Sequence, residues 1–193
     1  IPQNEHSSWL ISTDALVEDV HFSTSTISPE NLGSKSIGVN ISDVAAMGGT
    51  PKFVFISCAI PNYLDNSFVK RFISGIKEQT TKHNIHILGG DTTASKSKFF
   101  ISVTIIGEAN NNKIKYRSSA KIGDYICITG MPGASAIGLE LTKNMNLPKN
   151  EDEKYLINKH AAPYIYLQES QYLANFNSVH AMMDCSDGLN KDL

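Results

Sequence analysis

The chain has 193 residues, of which 41% are hydrophobic and 19% charged, with a formal net charge of −2. That composition suits a folded chain with core enough for one large or two small domains, and it excludes the basic footprint of a nucleic-acid or anionic-membrane binder. No apolar run approaches the ~18 residues of a membrane span and no secretory leader is visible. The expectation is a cytoplasmic protein with no membrane and no nucleic-acid partner.

In chain order, SSWLISTDALV reads as a strand that ends at Ser12-Thr13-Asp14. GVNISDVAAMGG reads as a helix, because Ile37, Ile41, Val44, Ala45 and Gly48 recur at helical spacing. Gly48-Gly49 followed by Pro51 is its stop signal. FVFISCAI is a fully apolar strand, and LDNSFVKRFISGIKEQTTKHN a helix with Leu64, Phe68, Phe72 and Ile76 on one stripe. IHILGGDTT is a second strand that breaks into glycines and an acid, and FFISVTIIGE is a long β run. Asn110-Asn111-Asn112 marks a turn and a boundary between domains 1–110 and 111–193. Beyond it, YICITG is predicted as a strand whose exit, GMPGASAIGLELT, enters a helix. EDEKYLINKH and YIYLQESQYLANF are helices separated by Pro163, and AMMDCSDGLNKDL is a short strand turning into a helix start. This alternation predicts an α/β (α+β) architecture.

Cys58, Cys127 and Cys185 each lie in or beside an apolar run, with no CxxC pair. An odd count argues against a disulfide framework, so buried reduced thiols are expected. Asn40-Ile41-Ser42 matches a glycosylation sequon but falls inside the predicted helix, and is read as chance. The chain starts at Ile1 without Met and stops at Leu193 just after a helix start, which leads to the expectation of a piece of a longer protein.

The acids carry the functional signal. At 100° per residue, Ser36, Asn40, Asp43 and Met47 form one polar stripe with apolar residues on both sides. A carboxylate there is costly unless a cation or metal pairs with it, or unless it caps a neighbouring loop. Asp14, Asp91, Asp184 and Asp187 stand at predicted strand ends, where ligand sites of α/β proteins gather, although turn-forming aspartates also occur there. Carboxylates and hydroxyls without a Cys/His cluster favour Mg²⁺ or Ca²⁺ over zinc. Acids converging from separate segments suggest several Mg²⁺ ions gripping a polyphosphate. Gly89-Gly90 permits close backbone approach, and TGMPGAS before a helix is similar to an anion-binding N-terminus but lacks GxxxxGK[ST].

The stretches STDALVEDVHF, NISDVAAMGGTP, ILGGDTT, RSSAKIGDYICITGMPGASAIGLEL and MMDCSDGL together resemble the thiamine-monophosphate kinase family, within the aminoimidazole ribonucleotide synthetase-like ATP-binding superfamily. The resemblance implies a two-domain architecture with an N-terminal sheet-plus-helices domain that dimerises and a partial C-terminal α/β domain. It implies transfer of the ATP γ-phosphoryl group to thiamine monophosphate, giving thiamine diphosphate and ADP, by a homodimer with several Mg²⁺ ions near its interface. Position by position it implies metal ligands at Ser12, Thr13, Asp14, Asp43, Asp91, Asp184 and Asp187, ATP contacts at Gly90, Arg117 and Ser186, and a thiamine monophosphate contact at His21. No residue acts as a covalent or general-base catalyst in this reading, since the attacking phosphate oxygen is already anionic.

The family also has a Gly-x-x-Asp-Asp-type motif upstream of the first strand and an acidic Gly-Gly-Glu-Asp-type stretch past DGL, and neither is present here. Part of the metal site and of the thiamine pocket is therefore expected to be missing, so the chain is either one portion of the enzyme or inactive as it stands. The rival readings are another ATP-dependent enzyme of the superfamily and a catalytically incomplete nucleotide-binding fragment. A Ca²⁺ module is disfavoured because no D-x-[DN]-x-[DN]-G loop is present.

Overall fold

The computed structural model describes residues 1–143 and 148–193. Four strands, β1 (Ser7–Val17), β2 (Thr50–Pro61), β3 (His86–Ser95) and β4 (Phe100–Asn110), form one sheet in the order β1-β4-β2-β3. β4 runs antiparallel to both β1 and β2, while β3 runs parallel to β2. The parallel pair is joined through a helix, as parallel neighbours require.

Helices α1 (Pro29–Ala46) and α2 (Asn66–Lys82) cover one face of the sheet. Ser28 caps α1 by accepting from the Asn31 N–H at 3.1 Å, and Pro29 occupies the first turn. Asp65 caps α2 in the same way, from the Phe68 N–H at 2.7 Å. Ile37, Ile41 and Val44 of α1 and Phe72 and Ile76 of α2 meet Val54, Ile101, Val103 and Ile105 of the sheet, all buried. Phe99 closes one end of this core with edge-on contacts to Phe22, Phe68 and Phe72.

The two helices approach so closely that only glycine fits at the crossing. A Cβ on Gly33 would stand 2.1 Å from Phe72 O, and one on Gly75 would stand 2.0 Å from Glu30 O. The other face of the sheet carries Ile11 at 51% and Phe55 at 40% exposure, beside an exposed edge strand β3.

After the turn at 111–113, a short 3-10 turn (Arg117–Ser119) leads to α3 (Ala134–Lys143), α4 (Glu151–Ala161), α5 (Leu167–Leu173) and α6 (Leu189–Asp192). α5 is tied to the sheet by Gln171 Nε2, which donates to Gly49 O and to Thr50 Oγ1, each at 3.0 Å. Buried Lys115 donates to Phe176 O at 2.9 Å.

The structure corrects several expectations. YICITG and the start of AMMDC form no strand; Tyr125 is 96% and Ile126 68% exposed. A strand needs a ladder partner for its N–H and C=O groups, and among the described residues none pairs with either segment. Cys127 and Cys185 are exposed, and Cys58 alone is buried, where burial pushes its thiol up to about 11. β1 continues three residues beyond Asp14 and β3 four beyond Asp91, so these acids lie inside strands rather than at their ends. The segment read as one helix from Tyr164 onward is helical only over Leu167–Leu173.

Candidate functional site

Alternation along β1 sends Leu10, Ser12, Asp14 and Leu16 toward the helices and Ile11, Thr13 and Ala15 outward. Ser12 stands opposite Ile105 and Asp14 opposite Val103, both fully buried. Two polar residues thus interrupt the row that faces the core. Asp43 comes to them from α1, and the Ser12 hydroxyl donates a short hydrogen bond to Asp43 Oδ2. Thr13 faces the other way; its hydroxyl donates to Val103 O at 3.2 Å and lies 3.0 Å from Thr104 Oγ1.

Asp184 arrives from the irregular segment before α6. Burial pushes its carboxyl above the usual carboxylate range, and the negative charges of Asp43, Asp192 and Asp14 push it further. Asp14 is raised in the same way, first by burial, then by Asp43, with His21 opposing. Three half-buried acids from three distant stretches therefore sense one another. Among the described residues none of the three has a Lys or Arg ion-pair partner.

Carboxylates that repel one another, joined by a serine hydroxyl and without a Lys or Arg partner among the described residues, fit a hard divalent cation. They are not a closed cage: among the described residues, no three His, Cys, Asp or Glu side chains stand at metal-ligating distance. Mg²⁺ needs only one or two carboxylates when water and phosphate complete its shell, so the open arrangement and the charge coupling agree.

The remaining candidates scatter. Asp91 is paired in register with Ser57, one residue out of phase with the Gly90–Ile56–Val103–Asp14 row, and its Oδ1 accepts from the Thr92 N–H at 2.8 Å. It is therefore not brought to Asp14 and Asp43 within this chain. Gly90 has φ 149, and a Cβ there would stand 1.7 Å from Ile56 O, so strand packing alone demands glycine. Asp187 is ion-paired with Lys191, which holds its carboxyl below the usual range. Ser186 and Arg117 are exposed, and Arg117 has no ion pair among the described residues. His21 is exposed; its Nδ1 accepts from the Val17 N–H at 3.0 Å, and the ring is near enough to lower Asp14. A cavity of about 290 Å³, lined by His6, Thr50, Lys52 and Glu108 among others, lies near the Ser7 end of β1, away from the acids.

Two residues were missed in the sequence. Glu18 is 5% exposed and hydrogen-bonded on both carboxylate oxygens; an acid directly after an apolar strand end was the available signal. Asp192 accepts from the Asp187 and Gly188 N–H groups, each at 3.1 Å, and lies beside Asp184. Nothing in GLNKDL marks it.

Residues 1–109 match the family model described as AIR synthase related protein, N-terminal domain. The chain is 37% identical over 186 residues to the thiamine-monophosphate kinase of Bacillus subtilis, covering 95% of this chain and 57% of that protein. It is 40% identical over 194 residues to the thiamine-monophosphate kinase of Buchnera aphidicola from Acyrthosiphon pisum, covering 100% of this chain and 58% of that protein. Its fold is similar to the solved structure of AaThiL complexed with AMPPCP and TMP, with a TM-score of 0.89 and 35% identity, over 96% of this chain and 58% of that one. The chain thus spans less than three-fifths of the length of these relatives.

Proposed function

This chain belongs to the family of AIR synthase related proteins, whose N-terminal domain matches its residues 1–109, and from that membership we propose that its protein transfers the γ-phosphoryl group of ATP to thiamine monophosphate, giving thiamine diphosphate and ADP. The observation that carries the reading is the meeting of Asp14, Asp43 and Asp184 from three separate segments. Likeness to thiamine-monophosphate kinases along almost the whole chain supports the choice of acceptor, as does a structural neighbour complexed with AMPPCP and TMP.

Asp14, Asp43 and Asp184 would hold Mg²⁺, with Ser12 orienting the Asp43 carboxylate. When bound, the metal supplies charge neutralisation for the phosphate oxygens. The chain's own residues do the positioning. Arg117, exposed and without an ion pair among the described residues, adds positive charge toward the phosphates; Gly90 and Ser186 are assigned to the nucleotide. His21 orients the acceptor phosphate, whose oxygen is already anionic and needs no base. The catalytic part of the reaction is alignment, which suits a site without a nucleophile.

A homodimer belongs to the same reading. The uncovered sheet face, with Ile11 and Phe55, is the surface a second copy would cover. Thr13 and Asp91 lie on that face or its edge, and we assign their metal role to the assembled dimer. Residues 1–110 as one domain and 111–193 as the next, and a cytoplasmic location, complete the proposal; three free cysteines are in keeping with a reducing compartment.

The test is a coupled ADP-release assay on the full gene product with Mg²⁺. ADP release that needs thiamine monophosphate is the expected result. Release driven instead by a formylglycinamidine-type substrate would point to another enzyme of the superfamily. Binding of a non-hydrolysable ATP analogue with no turnover of either substrate would point to a nucleotide-binding scaffold.

A further inference from the structure

Glu18 stands one residue past β1 and is almost fully buried. Its carboxylate gathers three donors from three segments. Thr24 Oγ1 donates to Oε1 at 2.5 Å, the Phe99 N–H donates to Oε2 at 2.9 Å, and the Tyr63 hydroxyl donates to the same Oε2. The Glu18 N–H in turn donates to Phe99 O at 3.0 Å. Burial pushes the Glu18 carboxyl up, but these hydrogen bonds outweigh it and the net shift is downward, so Glu18 accepts as a carboxylate at neutral pH. Tyr63 is pushed up to about 12 by burial and by Glu18, and so remains a donor.

Between Glu18 and Thr24 the chain makes a tight loop. Asp19 adopts φ 66 and its N–H donates to Phe22 O at 2.7 Å; the His21 N–H donates to Val17 O at 2.9 Å. Phe22 packs edge-on against Phe99 with ring centres 5.9 Å apart. The loop is thus fastened at both ends to Glu18 and Phe99, and at its tip stands exposed His21. Because Nδ1 of His21 accepts from the Val17 N–H at 3.0 Å, the neutral ring carries its proton on Nε2.

We propose that Glu18, with Tyr63 and Thr24, is a positioning residue that fixes the 18–24 loop so that His21 presents an Nε2–H donor to an anionic phosphate ester. The proposal rests on the assignment of His21 to the acceptor phosphate and deepens it. A purely structural strand end would be filled more cheaply by an apolar side chain, since a buried carboxylate is costly unless fully hydrogen-bonded. What the carboxylate adds is a directional tie between three segments that otherwise end separately.

The experiment uses the full gene product with the variants Glu18→Gln, Tyr63→Phe and His21→Gln, steady-state kinetics in both substrates, and long-range ¹⁵N spectra of the histidine ring. Glu18→Gln is expected to raise KM for thiamine monophosphate about tenfold, and Tyr63→Phe about threefold, with KM for ATP unchanged. The His21 resonances are expected to report the Nε2–H tautomer in the parent and exchange between tautomers in Glu18→Gln. Should Glu18→Gln fail to fold, Tyr63→Phe alone decides. Parent KM values and a parent tautomer in the Glu18 and Tyr63 variants, or equal rises in both KM values, would overturn the positioning role. An unchanged KM for thiamine monophosphate in His21→Gln would instead overturn the assignment of His21, which separates the two failures.

Discussion

The Ser12 hydroxyl, midway along the first strand, donates to Asp43 Oδ2 on the helix that covers it. The bond joins sheet and helix at the point where an apolar row is interrupted by Asp14. Asp43 stands there beside two further acids, Asp14 and Asp184. That arrangement is unfavourable for folding and useful for binding a cation, and most of the expected behaviour follows from it.

Asp43→Asn keeps size and the acceptor for Ser12 but removes the charge. Turnover of ATP with thiamine monophosphate is expected to fall by about 10²–10³-fold, the scale of losing one preorganised electrostatic group. Circular dichroism should be unchanged. Normal turnover in this variant would remove Asp43 from the site.

Mg²⁺ should stabilise the fold. At a concentration of about 100 Kd the linkage is about 2.7 kcal/mol, or roughly 5–10 °C in Tm for a chain of this size. Asp14→Asn should act in opposite directions on the two quantities: without Mg²⁺ it removes a buried charge and its repulsion by Asp43 and raises Tm by about 2–4 °C, while the gain on adding Mg²⁺ shrinks. Differential scanning fluorimetry with and without the metal reads both effects.

The α1–α2 crossing should be intolerant of a single methyl. Gly33→Ala would place Cβ 2.1 Å from Phe72 O, a backbone atom that cannot swing aside. A cost of about 3 kcal/mol, at the upper end of overpacking, is expected as a fall in Tm of roughly 6–12 °C.

His160 supplies a pH dependence away from the site. Burial, then the charges of Lys35 and Lys143, lower its pKa from 6.5 to about 4. Between those values the unfolded chain binds a proton that the folded one does not, so stability falls as pH drops through that window. Allowing for solvent screening, the loss is about 1–2 kcal/mol. His160→Gln should flatten the pH dependence of urea unfolding between pH 6.5 and 4.

The helical stripe of α1, the apolar β2 and the stripe Leu64, Phe68, Phe72 and Ile76 were legible because their periodicities are local. So was the chemical character of Asp43, since a carboxylate walled by apolar residues is visible on a helical wheel. What could not be read was registration. Whether Asp91 faces Asp14 depends on which strand lies beside β2 and by how many residues it slips, and a shift between Val54 and Phe55 decides it. The strand expected at YICITG shows the same limit, because its sequence is apolar enough for a ladder but a ladder also needs a partner. Glu18 went unread because its worth lies in Tyr63 and Phe99, 45 and 81 residues away.

The most direct measurement is a Mn²⁺ titration, followed by electron paramagnetic resonance in the presence of a non-hydrolysable ATP analogue, on the parent protein and on Asp14→Asn, Asp43→Asn and Asp184→Asn. Bound Mn²⁺ in the parent and weakened binding in each of the three variants is the expected result. Undiminished Mn²⁺ binding in all three would mean that these carboxylates hold no cation, and the phosphoryl-transfer reading would lose its foundation.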